Sequence, residues 1–249
     1  MGEVTMTVED HVATVTISSP EVKNGLTAEM GNQLAEACDA IDADRSVGAA
    51  VVRGAGGTFC SGADTRAWSV NIDPAGEEAY ARTEAVYGAF VRVGQLKVPT
   101  IAAVRGAAVG AGLNLALATD LRVVAADARI LAGFLRIGIH PGGGFFALAG
   151  RLAGREAAAA LGLFGEELNG KEAVRLGLAW EAVADEEVEP RAHELAARAA
   201  GDPELVRHAL ASFHSELGPP AVPWAAAVEM ERGIQMWSQR RRQLRAQER

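Results

Sequence analysis

The chain has few cysteines, few aromatic residues and no excess of positive charge, and these shortages exclude whole classes of protein. Its two cysteines, Cys38 and Cys60, are too far apart in sequence to form a close-spaced pair or a zinc motif. The formal net charge of −8 argues against a general nucleic-acid-binding protein, because phosphate binding needs a basic face. We therefore expect a reduced, cytoplasmic compartment and no nucleic-acid partner.

Long apolar runs are also missing. The longest weakly polar run, residues 106–119, is interrupted by glycine and asparagine. It is shorter than the roughly 20 residues that span a bilayer. No signal peptide is predicted, because the N-terminal residues lack a basic segment followed by an apolar one. These absences predict a soluble protein with no membrane partner.

The pattern of apolar residues predicts an α/β fold. Residues 4–8 and 12–17 are predicted to form a β-hairpin, and short buried strands are predicted at 49–52, 100–104 and 121–125. A helix is predicted over residues 77–96, with Tyr80, Tyr87 and Val91 facing inward. From Glu156 onward helices dominate, including one over residues 223–242. Strand, turn and helix in repeated succession favour an α/β core.

Two glycine-rich turns, at residues 54–64 and 106–112, each follow a predicted strand. Such turns let backbone N–H groups approach a ligand, and a following helix start adds a field that favours negative charge. A dinucleotide-binding fingerprint is excluded, because the first turn lacks the third glycine and the acidic residue that this motif requires. A Walker-type lysine is absent as well. The residues alone predict an α/β protein with two ligand-facing loops.

Six short segments, taken in chain order, form a more specific pattern. They are PEVKNGL at 20–26, FCSGAD at 59–64, AVRGAAVGAGL at 103–113, DLRVVA at 120–125, GIHPGGG at 138–144 and AVRLGLA at 173–179. Together they resemble elements of the enoyl-CoA hydratase/isomerase (crotonase) superfamily, over about residues 4–185. The resemblance implies a crotonase-like spiral of ββα units with a helical C-terminal trimerisation region.

The same resemblance implies a domain organisation and a set of partners. A core domain that binds acyl-CoA is expected over residues 1–189, and a C-terminal helical region over residues 190–249. The expected assembly is a homotrimer or a dimer of trimers. Coenzyme A enters as part of the substrate, and no tightly bound cofactor or metal is expected.

The resemblance also implies where the thioester binds. By motif position, the backbone N–H groups of Ala63 and Ala111 hold the thioester oxygen, which gains negative charge when a proton is removed beside it. Preorganised donors of this kind are worth about 3–4 kcal/mol each. Lys23 is a candidate for contact with a CoA phosphate. The other implied substrate- or CoA-binding positions are Gly25, Ser61, Gly62, Asp64, Thr65, Val109, Gly110, Phe134 and Gly142.

The sequence departs from the family pattern at two catalytic positions. Family hydratases use two glutamates for acid–base chemistry, and by motif position these are Asn114 and Phe134 here. An amide orients water but does not accept its proton near neutral pH, and a phenyl ring only shapes an apolar acyl pocket. We therefore expect ordinary crotonyl-type hydration to be weak or absent.

Three interpretations of the function stay open. The first is a crotonase-type enzyme with altered catalytic groups, such as an isomerase, lyase, decarboxylase or hydrolase. The second is a non-catalytic fatty acyl-CoA-binding protein, and the third is a structural subunit unrelated to thioesters.

His140 is the titratable side chain of a loop in which some family isomerases carry an aspartate. By motif position, that aspartate corresponds to Gly142 here. His140 is either a general acid or base or a histidine hydrogen-bonded in a turn.

Overall fold

Two β-sheets form the centre of the computed structural model, which describes residues 2–64, 77–218 and residue 237. The larger sheet has the strand order β1-β2-β3-β4-β6-β9, and the smaller has the order β5-β7-β8. The strands are β1 (Glu3–Glu9), β2 (Val12–Ser18), β3 (Ala49–Gly54), β4 (Thr100–Val104), β5 (Ala107–Val109), β6 (Leu121–Ala125), β7 (Arg129–Leu131), β8 (Glu167–Leu168) and β9 (Glu181–Val183). The predicted α/β fold is confirmed.

The connections between the sheets produce the ββα repeat. Strands β4 and β5 are consecutive in sequence but belong to different sheets. The same is true of β6 and β7. The predicted hairpin is present as the antiparallel pair β1–β2, whereas β2, β3, β4, β6 and β9 pair in parallel. Strand β3 is buried at five of its six positions, all except Arg53, as expected for a parallel strand covered on both faces.

The helices of the described residues cover these sheets. They are α1 (Ala28–Ala43), α2 (Glu77–Gly94), α3 (Ala111–Ala118), α4 (Phe145–Gly162), α5 (Gly170–Arg175), α6 (Val188–Ala200) and α7 (Pro203–Leu217). Helix α1 begins after Thr27, whose hydroxyl accepts a hydrogen bond from the N–H of Met30. Helix α6 buries Val188, Ala192 and Ala196 against the large sheet. Small side chains at every fourth position let this helix lie close to the strands.

The predictions about the helices have different outcomes. On α2, the prediction of an inward-facing side chain is wrong for Val91, which is exposed, whereas Tyr87 is 38% exposed and its hydroxyl lies against Gly142; Val86 and Phe90 are buried. Helix α4 has two segments divided at Gly154, whose φ of +82° is not helical; the second contains the predicted start at Glu156, and the sequence does not predict the first, which begins at Phe145. The side chain of Tyr80 and the predicted helix over residues 223–242, apart from Trp237, lie outside the described residues.

The topology decides where a ligand can bind. Strands β3 and β4 are parallel neighbours, so their carboxyl ends meet at one edge of the large sheet. Each then continues directly into one of the two glycine-rich loops. This edge is the usual location of ligand sites in open α/β sheets. Among the described helices, none is both long and apolar enough to cross a membrane.

Candidate functional site

The two glycine-rich loops run side by side in parallel register. Cys60 of the first loop forms a parallel β-bridge with Ala108 of the second. The N–H of Cys60 donates to the carbonyl of Ala107 at 3.0 Å, and the N–H of Val109 donates to the carbonyl of Cys60 at 3.0 Å. These two bonds fix the position of residues 61–64 relative to the start of α3.

Ala63 is held in place by its neighbours rather than by its own N–H group. The N–H of Leu26 donates to the carbonyl of Gly62 and the N–H of Asp64 donates to the carbonyl of Leu26, both at 2.8 Å. Ala63 therefore pairs with Leu26 in a parallel bridge without using its own donor. Within the described part of the chain, the N–H of Ala63 has no hydrogen-bond acceptor.

Ala111 supplies a second unpaired donor beside the first. It is the first residue of α3, where an N–H has no acceptor within the helix, and the described residues provide none elsewhere. A Cβ placed on Gly62 would lie 3.8 Å from the Ala111 nitrogen and 3.0 Å from the Val109 carbonyl oxygen. Gly62 also has φ +111°, which L-residues rarely adopt. Glycine at 62 thus keeps the space between the two donors open.

The turn that contains Lys23 packs against the first loop. The N–H of Ser61 donates to the carbonyl of Lys23 at 3.0 Å, and the Ser61 hydroxyl donates to the carbonyl of Val22 at 2.7 Å. Gly25 is buried in this turn, whereas Lys23 is exposed. The turn therefore places one cationic side chain at the surface beside residues 61–64.

Asn24 is a residue whose importance the sequence analysis missed. Its side chain is fully buried and its φ is +60°. The Oδ1 atom accepts from the N–H of Ser19 at 2.9 Å, and Nδ2 donates to the carbonyls of Ala55 at 2.8 Å and Thr58 at 2.6 Å. One side chain thus joins the Lys23 turn to the base of the first glycine-rich loop. Asparagine in a Lys-Asn-Gly turn, a residue that tolerates positive φ, was the available signal.

Asn114 lies one helical turn after Ala111 and is 1% exposed. Its Nδ2 donates to the carbonyl of Gly142 at 2.8 Å. That carbonyl only accepts, so the amide nitrogen must face it and Oδ1 must point away. Oδ1 is buried and has no hydrogen-bond partner in the described structure. The site therefore contains a buried acceptor that a ligand or a water molecule can satisfy.

The remaining predicted site residues differ in their exposure. Phe134 is half-buried, with its ring centroid 5.8 Å from that of Phe145, so this wall is apolar. His140 is exposed, and its Nδ1 lies 2.7 Å from the carbonyl oxygen of Pro141. Burial raises the pKa of the Cys60 thiol to about 12, so this thiol is not a nucleophile near neutral pH. Thr65 lies outside the described residues.

The structure therefore brings the two loops, the start of α3 and the 142–143 segment together. The predicted residues that share this region are Gly62, Ala63, Val109, Gly110, Ala111, Asn114 and Gly142. Gly110 has φ +53° and donates its N–H to the carbonyl of Leu131 at 3.0 Å, which orients the start of α3. A thioester oxygen placed between the two free N–H groups would also meet the positive end of this helix.

Comparison with known proteins gives a consistent result. The model of the enoyl-CoA hydratase/isomerase family matches residues 7–243. A protein of Mycobacterium tuberculosis described as a probable enoyl-CoA hydratase, EchA14, is 42% identical over 217 residues, which are 87% of this chain and 83% of that protein. The 1,2-epoxyphenylacetyl-CoA isomerase of Escherichia coli is 36% identical over 199 residues, covering 79% and 75% of the two chains.

Solved structures share the fold over nearly the whole chain. An enoyl-CoA hydratase from Polaromonas sp. JS666 superposes with a TM-score of 0.86 at 25% identity, covering 94% of this chain and 91% of the other. A Thermobifida fusca protein assigned to the enoyl-CoA hydratases, crystallised in complex with CoA, has a TM-score of 0.82 at 26% identity. That match covers 96% of this chain and 93% of the other.

Proposed function

This chain belongs to the enoyl-CoA hydratase/isomerase family, and on that premise we propose that it binds acyl thioesters of coenzyme A and polarises the thioester carbonyl. The observation that carries the proposal is the pair of adjacent backbone donors, on Ala63 and Ala111, that have no acceptor within the described part of the chain. Ala111 is buried and Ala63 is half-buried, and polar groups removed from solvent are rarely left unpaired without a reason. A thioester oxygen is the acceptor that this geometry fits.

The proposed chemistry follows from where charge develops. Removing a proton from Cα, or adding a group at Cβ of an unsaturated thioester, moves an electron pair onto the thioester oxygen. Two N–H donors that are already in position stabilise that enolate without reorganising. The N-terminus of α3, which begins at Ala111, adds a favourable field.

Coenzyme A is the proposed carrier of the acyl group. Lys23 is exposed on the turn that packs against residues 61–64, which suits contact with a CoA phosphate at the mouth of the site. The structurally similar Thermobifida fusca protein is complexed with CoA. No other cofactor is required by the proposed chemistry.

The proposed reaction is a proton transfer or isomerisation through the thioester enolate, not standard hydration. Asn114 and Phe134 occupy the positions of the two glutamates, and neither side chain can accept a proton from water near neutral pH. The name of the Escherichia coli relative, an isomerase of a CoA thioester, agrees with this reaction class. We keep His140 as a candidate acid or base, although its side chain is exposed.

A second candidate function is binding of fatty acyl-CoA without turnover. It is favoured by the apolar wall that Phe134 forms with Phe145. It is also favoured by the amide of Asn114, which provides a buried hydrogen-bond acceptor but no base. The two candidates share thioester binding and differ only in whether a proton moves.

Direct binding and turnover measurements test the proposal. Calorimetric titration with acetyl-, butyryl-, crotonyl- and octanoyl-CoA should show binding to at least one of them, and crotonyl-CoA should be hydrated about 10²–10⁴-fold more slowly than by a two-glutamate hydratase. The second measurement follows the ultraviolet absorbance of the enoyl thioester. Free CoA and the free acids serve as controls that isolate the thioester.

The possible outcomes of these measurements are distinct. Hydration at the rate of a two-glutamate hydratase would contradict the assigned roles of Asn114 and Phe134. Failure to bind any acyl-CoA would defeat both candidate functions. Binding with no proton exchange at Cα in any thioester would select the non-catalytic function.

We also propose that the protein assembles as a homotrimer or a dimer of trimers and is cytoplasmic. In this proposal each chain has a core domain over residues 1–189 and a helical region over residues 190–249. Large apolar side chains at the surface support the assembly: Phe164 is 81% exposed, and Ile137 and Trp180 are each about 60% exposed. Light scattering coupled to size exclusion should give three or six times the 26.0 kDa chain mass. A monomer would contradict this proposal.

A further inference from the structure

Gly142 is a glycine because of what lies next to it, not because of its backbone. Its φ is outside the left-handed range, so an L-residue could adopt its conformation. A Cβ placed there, however, would overlap the hydroxyl oxygen of Tyr87 and lie 3.0 Å from its Cζ. The phenol of Tyr87 therefore fills the space over Gly142 that any side chain at that position would need.

This contact places the Tyr87 hydroxyl beside the residues that surround Asn114. Asn114 Nδ2 donates to the carbonyl of Gly142 at 2.8 Å, and a Cβ on Gly143 would lie 2.5 Å from the same nitrogen and 3.3 Å from Phe90. The rings of Tyr87 and Phe90 are 6.1 Å apart. Tyr87 and Asn114 thus approach the 142–143 segment together, and Asn114 is one helical turn from Ala111.

The chemistry of these neighbours differs. Phe90 has no polar atom, and the Asn114 amide neither gives up nor accepts a proton near neutral pH. A tyrosine hydroxyl can do both, in its phenol and phenolate forms. Within the described residues the Tyr87 hydroxyl has no hydrogen-bond partner, and the side chain is 38% exposed, so its proton can exchange with solvent.

We propose that Tyr87 is the proton-transfer residue of this site and acts at Cα of the bound acyl thioester. The inference rests on the proposed function, because the enolate is the species that Ala63 and Ala111 would stabilise. It places the proton donor on α2, against Gly142, rather than on His140, whose Nδ1 lies 2.7 Å from the carbonyl oxygen of Pro141. It also narrows the substrate class to thioesters with a hydrogen on Cα.

The proton-transfer step needs only Tyr87, the thioester and water. The O–H bond of Tyr87 breaks, its proton forms a C–H bond with the electron pair of the enolate, and the thioester carbonyl is restored. The resulting phenolate regains a proton from water. In the reverse direction, the phenolate removes a proton from Cα and the electron pair moves onto the thioester oxygen.

Deuterium exchange at Cα tests this role without knowledge of the natural substrate. The wild-type protein is incubated with butyryl-CoA in D₂O, and deuterium at Cα is followed by mass spectrometry. Tyr87→Phe should slow the exchange by about 10²–10⁴-fold, the usual contribution of a positioned acid or base. Binding of butyryl-CoA, measured by calorimetry, should change by less than about 3-fold, because the hydroxyl makes no hydrogen bond within the described residues.

A comparison of exchange with binding separates proton transfer from a structural role, because Tyr87→Phe should lose the exchange while it keeps its affinity for butyryl-CoA. Val91→Ala is the matched control, since it shortens an exposed side chain one turn further along α2. It should exchange at the wild-type rate.

A double variant provides a rescue test. In Tyr87→Ala with Gly142→Asp, the overlap over Gly142 is removed and a carboxylate enters the same space. The double variant should recover part of the Cα proton exchange that Tyr87→Ala alone loses. This recovery would support the placement of the proton donor beside residue 142. Thermal melting of each variant shows whether the fold is retained.

Three outcomes overturn the inference. The first is a Tyr87→Phe protein that exchanges within about 3-fold of wild type, and the second is loss of exchange in His140→Ala while Tyr87→Phe remains active. The third is wild-type protein that binds acyl-CoA thioesters but exchanges no Cα proton, which removes the role of Tyr87 and leaves thioester binding intact. Absence of any binding is a failure of the proposed function itself.

Discussion

Replacing Ala111 by proline is expected to lower the rate of Cα proton exchange by about 10²–10³-fold, the usual cost of losing one oxyanion donor. Proline differs from the other residues in having no backbone N–H, so the substitution removes the proposed donor directly. Position 111 is the first residue of α3, where proline is well tolerated because its N–H has no partner within the helix. The preceding residue is Gly110, which has no Cβ to clash with the proline ring.

The matched control keeps the N–H group and changes only the side chain. Ala111→Gly retains the donor and should keep exchange within about 3-fold of wild type. Circular dichroism should show that the helix content of both variants is unchanged. If Ala111→Pro retained full activity with α3 intact, the backbone of Ala111 could not be the group that polarises the thioester.

Replacing Asn24 by alanine is expected to destabilise the protein by about 3–5 kcal/mol. The substitution removes the three hydrogen bonds of a buried side chain, at about 1 kcal/mol each. It also places an alanine at φ +60°, which costs a further 1–2 kcal/mol or so. In a chain of this size, the melting temperature should fall by about 10 °C. Calorimetry or urea unfolding measures the change.

Two further variants at this position separate the contributions. Asn24→Gly loses the same bonds but tolerates the positive φ, so it should be less destabilised than Asn24→Ala by about 1 kcal/mol. Asn24→Asp keeps an acceptor for the N–H of Ser19 and loses the donors to Ala55 and Thr58. A loss below about 1 kcal/mol for Asn24→Ala would show that the loop is held by other contacts.

The sequence predicts the parts of the fold that depend on local pattern. Strands β4 and β6 have the predicted bounds, and the hairpin β1–β2 is present, because alternating and continuous apolar runs specify strands directly. The sequence places Ala63 and Ala111 on two loops that follow strands, and the structure shows that these strands, β3 and β4, are parallel neighbours. The role of their N–H groups in binding a thioester oxygen is implied by the family resemblance and stays a prediction.

The wrong predictions have specific physical reasons. Helix α2 has two sets of residues with helical spacing, one through Tyr87 and Val91 and the other through Val86 and Phe90. A tyrosine is compatible with either a buried or an exposed face. The helical segment before Gly154 is not predicted because Gly150 and Gly154 are typical of loops, whereas the segment after Gly154 contains the predicted start at Glu156. Local pattern does not decide between such alternatives.

The contact of Tyr87 with Gly142 could not be predicted at all. The two residues are far apart in sequence, and neither belongs to a motif that names the other. Their proximity depends on how α2 packs across the segment that precedes α4. The residue that we propose for proton transfer is therefore visible only in the folded chain.

That contact also restricts how this sequence can evolve. Because the phenol of Tyr87 fills the space above Gly142, a side chain acquired at 142 requires this phenol to move or to be replaced by a smaller group. The two positions should therefore covary among close relatives, with glycine at 142 accompanying a large residue at 87.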